Sequence, residues 1–196
     1  MDCPQSSQMD SLIPAEIKHD EFYVMIQQIA QREDIQSILE IGSSSGEGST
    51  DAFVTGLRHN RVKPSLFCME VSQVRFAALR DRYQTDDFVK PYNVSSVSLE
   101  AFASANEVSD FYNNTSSNLN VYPLHQVLDW LRQDTNYVSG AGVGDRGIQI
   151  IKQENKIDVF DVVLIDGSEF TGQAELDEIY GAKIILLDDI NTFKNY

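Results

Sequence analysis

The stretch Ser37–Thr50, Ser-Ile-Leu-Glu-Ile-Gly-Ser-Ser-Ser-Gly-Glu-Gly-Ser-Thr, restricts the fold more than any other part of the chain. Ser37–Ile41 is a short apolar run with β-branched residues, as a buried strand requires. Gly42, Gly46 and Gly48 follow, with small serines between them. A backbone without Cβ atoms turns sharply there and lets a ligand come close. From Ser49–Thr50 onward, Ala52, Phe53, Val54 and Leu57 recur at helical spacing. Strand, glycine-rich turn and helix N-terminus form the opening unit of a nucleotide-binding α/β fold.

Glycine spacing alone does not say which ligand such a turn meets, and Glu40 narrows the choice. A carboxylate at the end of the first strand suits a ligand with positive charge or donor groups, and it does not suit a pyrophosphate. Ser65–Val71 reads as a second strand ending near Glu70, somewhat past the ~20-residue spacing of dinucleotide folds. A carboxylate there can accept from both ribose hydroxyls of an adenosine, with about 1.5–3 kcal/mol for a hydrogen bond to a charged group. Gln73–Tyr83 is predicted as a helix, and Phe88–Val97 holds a third strand and the turn after it. Asp161–Gly167 is a fourth strand, apolar throughout as a central parallel strand should be. Glu169–Tyr180 is predicted as a helix, and Lys183–Asp189 as a fifth strand with Asp188 and Asp189 at its end. Open parallel sheets bind ligands beyond the carboxyl ends of their strands. Glu40, Glu70, Asp166 and Asp188/Asp189 all fall at such ends, a recurrence that composition alone does not produce.

The remaining segments are less regular. Residues 1–13 read as a flexible tail, and residues 14–196 as one domain with an insertion around 99–155. Pro14–Glu33 has a helical pattern through Ile17, Phe22, Met25, Ile26 and Ile29. Asn106–Asn120, rich in Asn and Ser, reads as loop, Leu124–Leu131 as helix and Ile148–Asn155 as a short helix. Ser139–Gly147, with four glycines, reads as a flexible excursion. It is either a lid over a substrate or an insertion without chemistry.

Composition excludes several classes. The 196 residues are 42% hydrophobic and 23% charged, as in a globular domain. Fifteen basic against thirty acidic residues give a net charge of −15. That charge repels a nucleic-acid backbone. No apolar run is long enough for a membrane span, and no basic-then-apolar leader is visible. Cys3 and Cys68 offer neither a disulfide framework nor a zinc set. The expected compartment is a reducing cytoplasm.

The acidic-x-Gly-x-x-x-Gly pattern of Glu40–Gly48 resembles motif I of the class I S-adenosylmethionine-dependent methyltransferases. The resemblance runs from Ser37 to Asp189, strongest at Glu40–Gly48 and weakest in Leu99–Asn155. Asp166–Phe170 (Asp-Gly-Ser-Glu-Phe) followed by Leu186–Asp189 (Leu-Leu-Asp-Asp) resembles a bacterial O-methyltransferase group. That group includes enzymes acting on sugars of natural products. The resemblance implies a Rossmann-like, doubly wound, mostly parallel sheet of strand order 3-2-1-4-5 with flanking helices. It implies that Glu40, Gly42, Ser43, Ser44, Ser45, Gly46, Gly48, Ser49, Glu70, Val71, Ser95 and Asp166 hold S-adenosylmethionine. The family's adenine contact after the third strand has Asn93, Ser95 and Ser96 as candidates here.

The same segments are similar to metal-dependent catechol-type enzymes, which use an aspartate after the fourth strand and an Asp-Asn pair after the fifth to hold Mg²⁺. Asp166 and Asp189 match two of these positions. Ile190 stands where Asn is expected, and Asn191 comes one place later. With the metal, the ligands would be Asp166, Asp189 and Asn191. Without it, Asp166 or Asp188 would be the general base. The family also adds an antiparallel hairpin after the fifth strand, which the seven residues to Tyr196 cannot supply. The fifth strand is then an open edge that invites pairing with a second copy.

The activity implied is O-methylation of a small molecule or sugar. One alternative is a non-catalytic cofactor-binding or interaction module with the same fold. Another is an NAD-dependent short-chain dehydrogenase, which needs a Tyr-x-x-x-Lys pair. No tyrosine here has a lysine four places later; Tyr180 meets Lys183 at three.

Overall fold

The structure is a computed structural model and describes residues 8–196. Of the tail expected to be flexible, residues 1–7 lie outside the described residues. Gln8–Asp10 forms a 3-10 turn. The Asp10 carboxylate accepts from Ser72 Oγ at 3.0 Å and from the Tyr137 hydroxyl at 2.6 Å.

The first helix, α1 (Glu21–Ala30), is shorter than the Pro14–Glu33 pattern predicts. Asp20 is extended, and its carboxylate accepts from Tyr23 N at 2.7 Å, which starts the helix there. His19, just before it, has φ 60°. The apolar residues ahead of α1 instead lie in an irregular segment along the mouth of a cleft.

The chain then alternates strand and helix. The order is β1 (Ser37–Ile41), α2 (Ser49–His59), β2 (Ser65–Met69), α3 (Gln73–Arg82) and β3 (Val89–Tyr92). Next come α4 (Ala105–Asn114), α5 (Leu124–Gly140), α6 (Gly147–Asn155), β4 (Val162–Ile165), α7 (Gly172–Glu178) and β5 (Ile184–Leu187). The five strands make one sheet in the order β3-β2-β1-β4-β5, and every pair is parallel. This is the expected Rossmann-like architecture. β1 is central, with Glu40 beside Cys68 of β2 and Leu164 of β4. Connections leave β1 in one direction to β2 and β3, and return on its other side as β4 and β5. The order reverses between β1 and β4, where such sheets open a crevice.

Side-chain alternation along the strands builds two cores. Ile38, Leu66, Cys68, Val162 and Leu164 face α1, α2 and α3. Leu39, Ile41, Phe67, Met69, Val163 and Ile165 face α6 and α7. Both faces of β1 and β4 are buried, which is why these strands read as unbroken apolar runs.

The region after β3 is helical where Asn106–Asn120 was expected to be loop. Two devices override its polar composition. Ser104 and Glu107 form a capping box at the start of α4. Val108 then packs into a third core with Leu119, Val127, Leu131 and Phe170. Helix α5 also runs nine residues past Leu131, to Gly140, so the expected excursion shrinks to the segment before Gly147. Ser95 N donates to Gly144 O at 2.8 Å and ties that segment to the end of β3.

Beyond β5 the chain folds back over the carboxyl ends of the strands. Asn195 Nδ2 donates to Asp188 O at 2.5 Å. The rings of Phe193 and Tyr196 each sit 5.2 Å from that of Phe111. Among the described residues no helix is long and apolar enough to cross a membrane.

Candidate functional site

The turn after β1 is held from below. Glu40 is fully buried, and its Oε2 accepts from Ser43 Oγ and Thr50 Oγ1, each at 2.7 Å. Oε1 has no partner among the described atoms. Burial raises the Glu40 carboxyl above its ordinary value, and the hydroxyls of Ser49, Thr50 and Ser43 pull it back. Gly42 has φ +90°, and a Cβ there would lie 2.0 Å from the Asp166 carbonyl oxygen. Glycine at this position lets the loops after β1 and β4 close on each other. Gly42 N and Ser43 N both donate to Met69 O, at 3.1 and 3.0 Å, so the loop is also clamped to β2.

Above this loop lies a cleft of about 350 Å³ at the carboxyl ends of β1, β2 and β4. Of the residues expected to hold a cofactor, Gly42, Ser43, Ser44, Ser45, Gly48, Ser49, Glu70, Val71, Ser95 and Asp166 line it. Glu40 and Gly46 do not. Glu40 braces the turn from beneath, and Gly46 faces Leu79 and Tyr83, whose hydroxyl donates to Gly46 O at 2.6 Å. Asn93 is also drawn into support, donating to the carbonyls of Glu70 and Val71 at 2.8 and 3.0 Å.

Glu70 is 5% exposed on the cleft wall. Its Oε1 accepts from Ser72 N at 2.7 Å, which fixes the carboxylate. Burial raises its pKa, opposed by the Ser72 amide and by Arg75. Arg75 lines the cleft too and donates from Nε to Ser11 O at 2.8 Å, linking α3 to the N-terminal segment. Residues 13–17 of that segment close one side of the opening.

Three side chains in or behind the cleft wall were not singled out from the sequence. Asp134 lines the cleft from α5 and accepts from Ser168 Oγ at 2.6 Å; burial raises its pKa. The signal was available: Val127, Leu131 and Val138 mark one face of α5, and Asp134 falls on it at helical spacing. Glu175 is fully buried under the cleft wall and accepts from Ser96 Oγ at 2.5 Å and Thr171 Oγ1 at 2.8 Å. Lys194 is the third, and no local pattern marks it.

The acids after β4 and β5 come together as expected. Asp166, Asp188 and Asp189 each offer an oxygen within 4.8 Å of the others. Only Asp166 also lines the cleft. Lys194 Nζ lies 3.2 Å from Asp166 Oδ1 and 3.2 Å from Asp189 Oδ2. Burial raises the Asp166 carboxyl to about 8; the Lys194 ammonium opposes the rise and Asp188 adds to it. The backbone carbonyl of Asn191 accepts from Asn118 N at 2.8 Å. Mg²⁺ therefore does not fit the residues as they stand, because an ammonium already lies between two of its expected ligands.

A nucleoside bearing a positive sulfur does fit. The cleft offers a fixed carboxylate at Glu70, small serines and open backbone along Gly42–Ser45, and a second carboxylate at Asp166. Its volume lies within the range of roughly 300–1,000 Å³ typical of small-molecule sites.

No protein-family model matches the chain, and no curated protein matches it significantly. Among solved structures it is similar to an O-methyltransferase from Bacillus cereus in complex with SAH. That match has 16% identity over 85% of this chain and 53% of the other, with a TM-score of 0.49. A Klebsiella pneumoniae protein assigned as an O-methyltransferase matches at 14% identity over 85% of this chain and 52% of its own, also with a TM-score of 0.49. An SAH-bound methyltransferase from Podospora anserina matches over 34% of this chain and 29% of its own, at 31% identity and a TM-score of 0.30. The chain thus spans about half the length of the first two.

Proposed function

We propose that the cleft binds S-adenosylmethionine and that the protein transfers its methyl group to a hydroxyl of a small molecule, a sugar among the candidate acceptors. The observation that carries this reading is Glu70: a buried, oriented carboxylate at the end of β2, on the cleft wall beside the glycine-serine turn after β1. A carboxylate so placed accepts from two vicinal hydroxyls, which a ribose supplies and a free phosphate does not. The net charge of −15 argues against a polyanionic acceptor such as nucleic acid.

When bound, S-adenosylmethionine supplies an electrophilic methyl group on a sulfonium. The protein's part is then alignment, exclusion of water and removal of one proton. Residues 13–17 and the wall formed by Phe102 and Val138 shield the cleft. Asp166 is the candidate general base. It sits at the cleft edge with a pKa near neutrality, the range in which a carboxylate both accepts and releases a proton readily. With the cofactor bound, Asp166 would take up the proton that the acceptor hydroxyl gives up.

The test is calorimetric titration of S-adenosylmethionine and its demethylated product into the wild type and Glu70→Ala. Loss of one or two hydrogen bonds to a charged group, at about 1.5–3 kcal/mol each, predicts at least ~tenfold weaker binding in the variant. No binding by the folded wild type, or equal binding by both proteins, would end this reading. Binding without turnover on a panel of hydroxyl acceptors would instead favour a cofactor-binding module.

A further inference from the structure

The carboxylates at the ends of β4 and β5 already have a cation, and it belongs to the chain. Lys194 is 3% exposed at its side chain, with Nζ 3.2 Å from both Asp166 Oδ1 and Asp189 Oδ2. Nothing about its placement is loose. Lys194 N donates to Glu169 Oε1 at 3.0 Å. Its carbonyl packs so closely on Gly172 that a Cβ there would lie 1.8 Å from the oxygen. The next residue, Asn195, is anchored on the carbonyl of Asp188. A buried ammonium is costly unless paired and hydrogen-bonded, and these two carboxylates pair it.

The same carboxylates form the described cluster whose oxygens could otherwise surround a metal ion. A divalent ion would need them about 2.0–2.6 Å away, in the space the ammonium borders. Two cations cannot share that space without strong repulsion. We infer that Lys194 is the resident cation of this carboxylate set, holding Asp166 oriented at the cleft edge in place of a divalent metal, and that ammonium and metal exclude each other there. Lys194 is then a positioning residue acting through Asp166. The assignment does not depend on methyl transfer or on the acceptor.

Mn²⁺ alone is the probe, titrated into the full chain without cofactor and followed by electron paramagnetic resonance. Lys194→Met is expected to bind Mn²⁺ at least ~tenfold more tightly than the wild type, and the added change Asp189→Asn is expected to abolish that gain. A merely structural lysine would not create a metal site when removed. Equal Mn²⁺ affinity in the wild type and a folded Lys194→Met overturns the inference. Should Lys194→Met not fold, the wild type still decides. Mn²⁺ binding that Asp189→Asn abolishes overturns the inference, and a signal that Asp189→Asn leaves unchanged supports it.

Discussion

At the scale of single residues, the cleft depends on positions where one atom more or less decides the outcome. Gly42 is the sharpest case. Its φ of +90° is a conformation that other residues adopt with strain, and a Cβ would overlap the Asp166 carbonyl. Gly42→Ala is therefore expected to destabilise the fold by about 1–3 kcal/mol from backbone strain alone, with the overlap adding to it. Chemical denaturation would read this as a lower midpoint with an unchanged slope. A neutral Gly42→Ala would mean that the loops after β1 and β4 do not meet as described. Glu40 and Glu70 look alike in sequence, each an acid at a strand end, yet they part company in the structure. Glu40 points toward the α2 side of the sheet and serves the turn, whereas Glu70 reaches the cleft wall. A period-2 strand puts neighbours on opposite faces, but residues at the very end of a strand escape that rule.

At the scale of elements, the strands were far more legible than the insertion. β1, β2 and β4 announce themselves as apolar runs because both their faces are buried, β5 as a shorter run that is only partly buried, and the turn after β1 through its glycines. Helix α4 was missed because its sequence, Ala-Asn-Glu-Val-Ser-Asp-Phe-Tyr-Asn-Asn, has low helix propensity. What makes it a helix is its start: Ser104 and Glu107 cap each other's backbone amides, at 3.2 and 2.7 Å. Ser104→Ala is expected to cost about 0.5–2 kcal/mol, with hydrogen exchange rising first in α4 rather than in the sheet. Uniform loss of protection across all elements would contradict that. The site was legible to a similar degree. Glycines and strand-end acids could be read from short windows, and Gly42, Gly48, Glu70 and Asp166 among them line one cleft. Asp134 shares a legible helix face, but its partner Ser168 does not show in a short window, and Lys194 could not be found that way at all, because its role arises from a contact between distant segments, Asp166 with the residues after β5.

At the scale of the whole molecule, charge is the dominant feature. Glu40, Glu70, Asp134, Asp166 and Glu175 all have values raised by burial. In the unfolded chain they titrate near 4. Between that range and their raised values the folded state holds more protons, so stability rises as pH falls through this window. Asp166, at about 8, places the upper edge of the window near neutrality. Asp161 is lowered despite its partial burial, by Lys183 and by the backbone amides of Gln36 and Ser37. Its contribution has the opposite sign and is lost as pH falls through its own low value. The melting temperature is therefore expected to climb from pH 8 toward pH 6, and the slope to become shallower in Asp166→Asn, which removes the buried ionisation raised to about 8. A melting temperature that falls over this range would contradict the burial of these acids.

The most direct test of the central claim is a crystal structure of the protein soaked with SAH. The account expects the nucleoside to lie in the cleft at the carboxyl ends of β1, β2 and β4, both ribose hydroxyls on the Glu70 carboxylate and the amino-acid end along Gly42–Ser45. An empty cleft at saturating SAH, or SAH bound with its ribose away from Glu70, would contradict it.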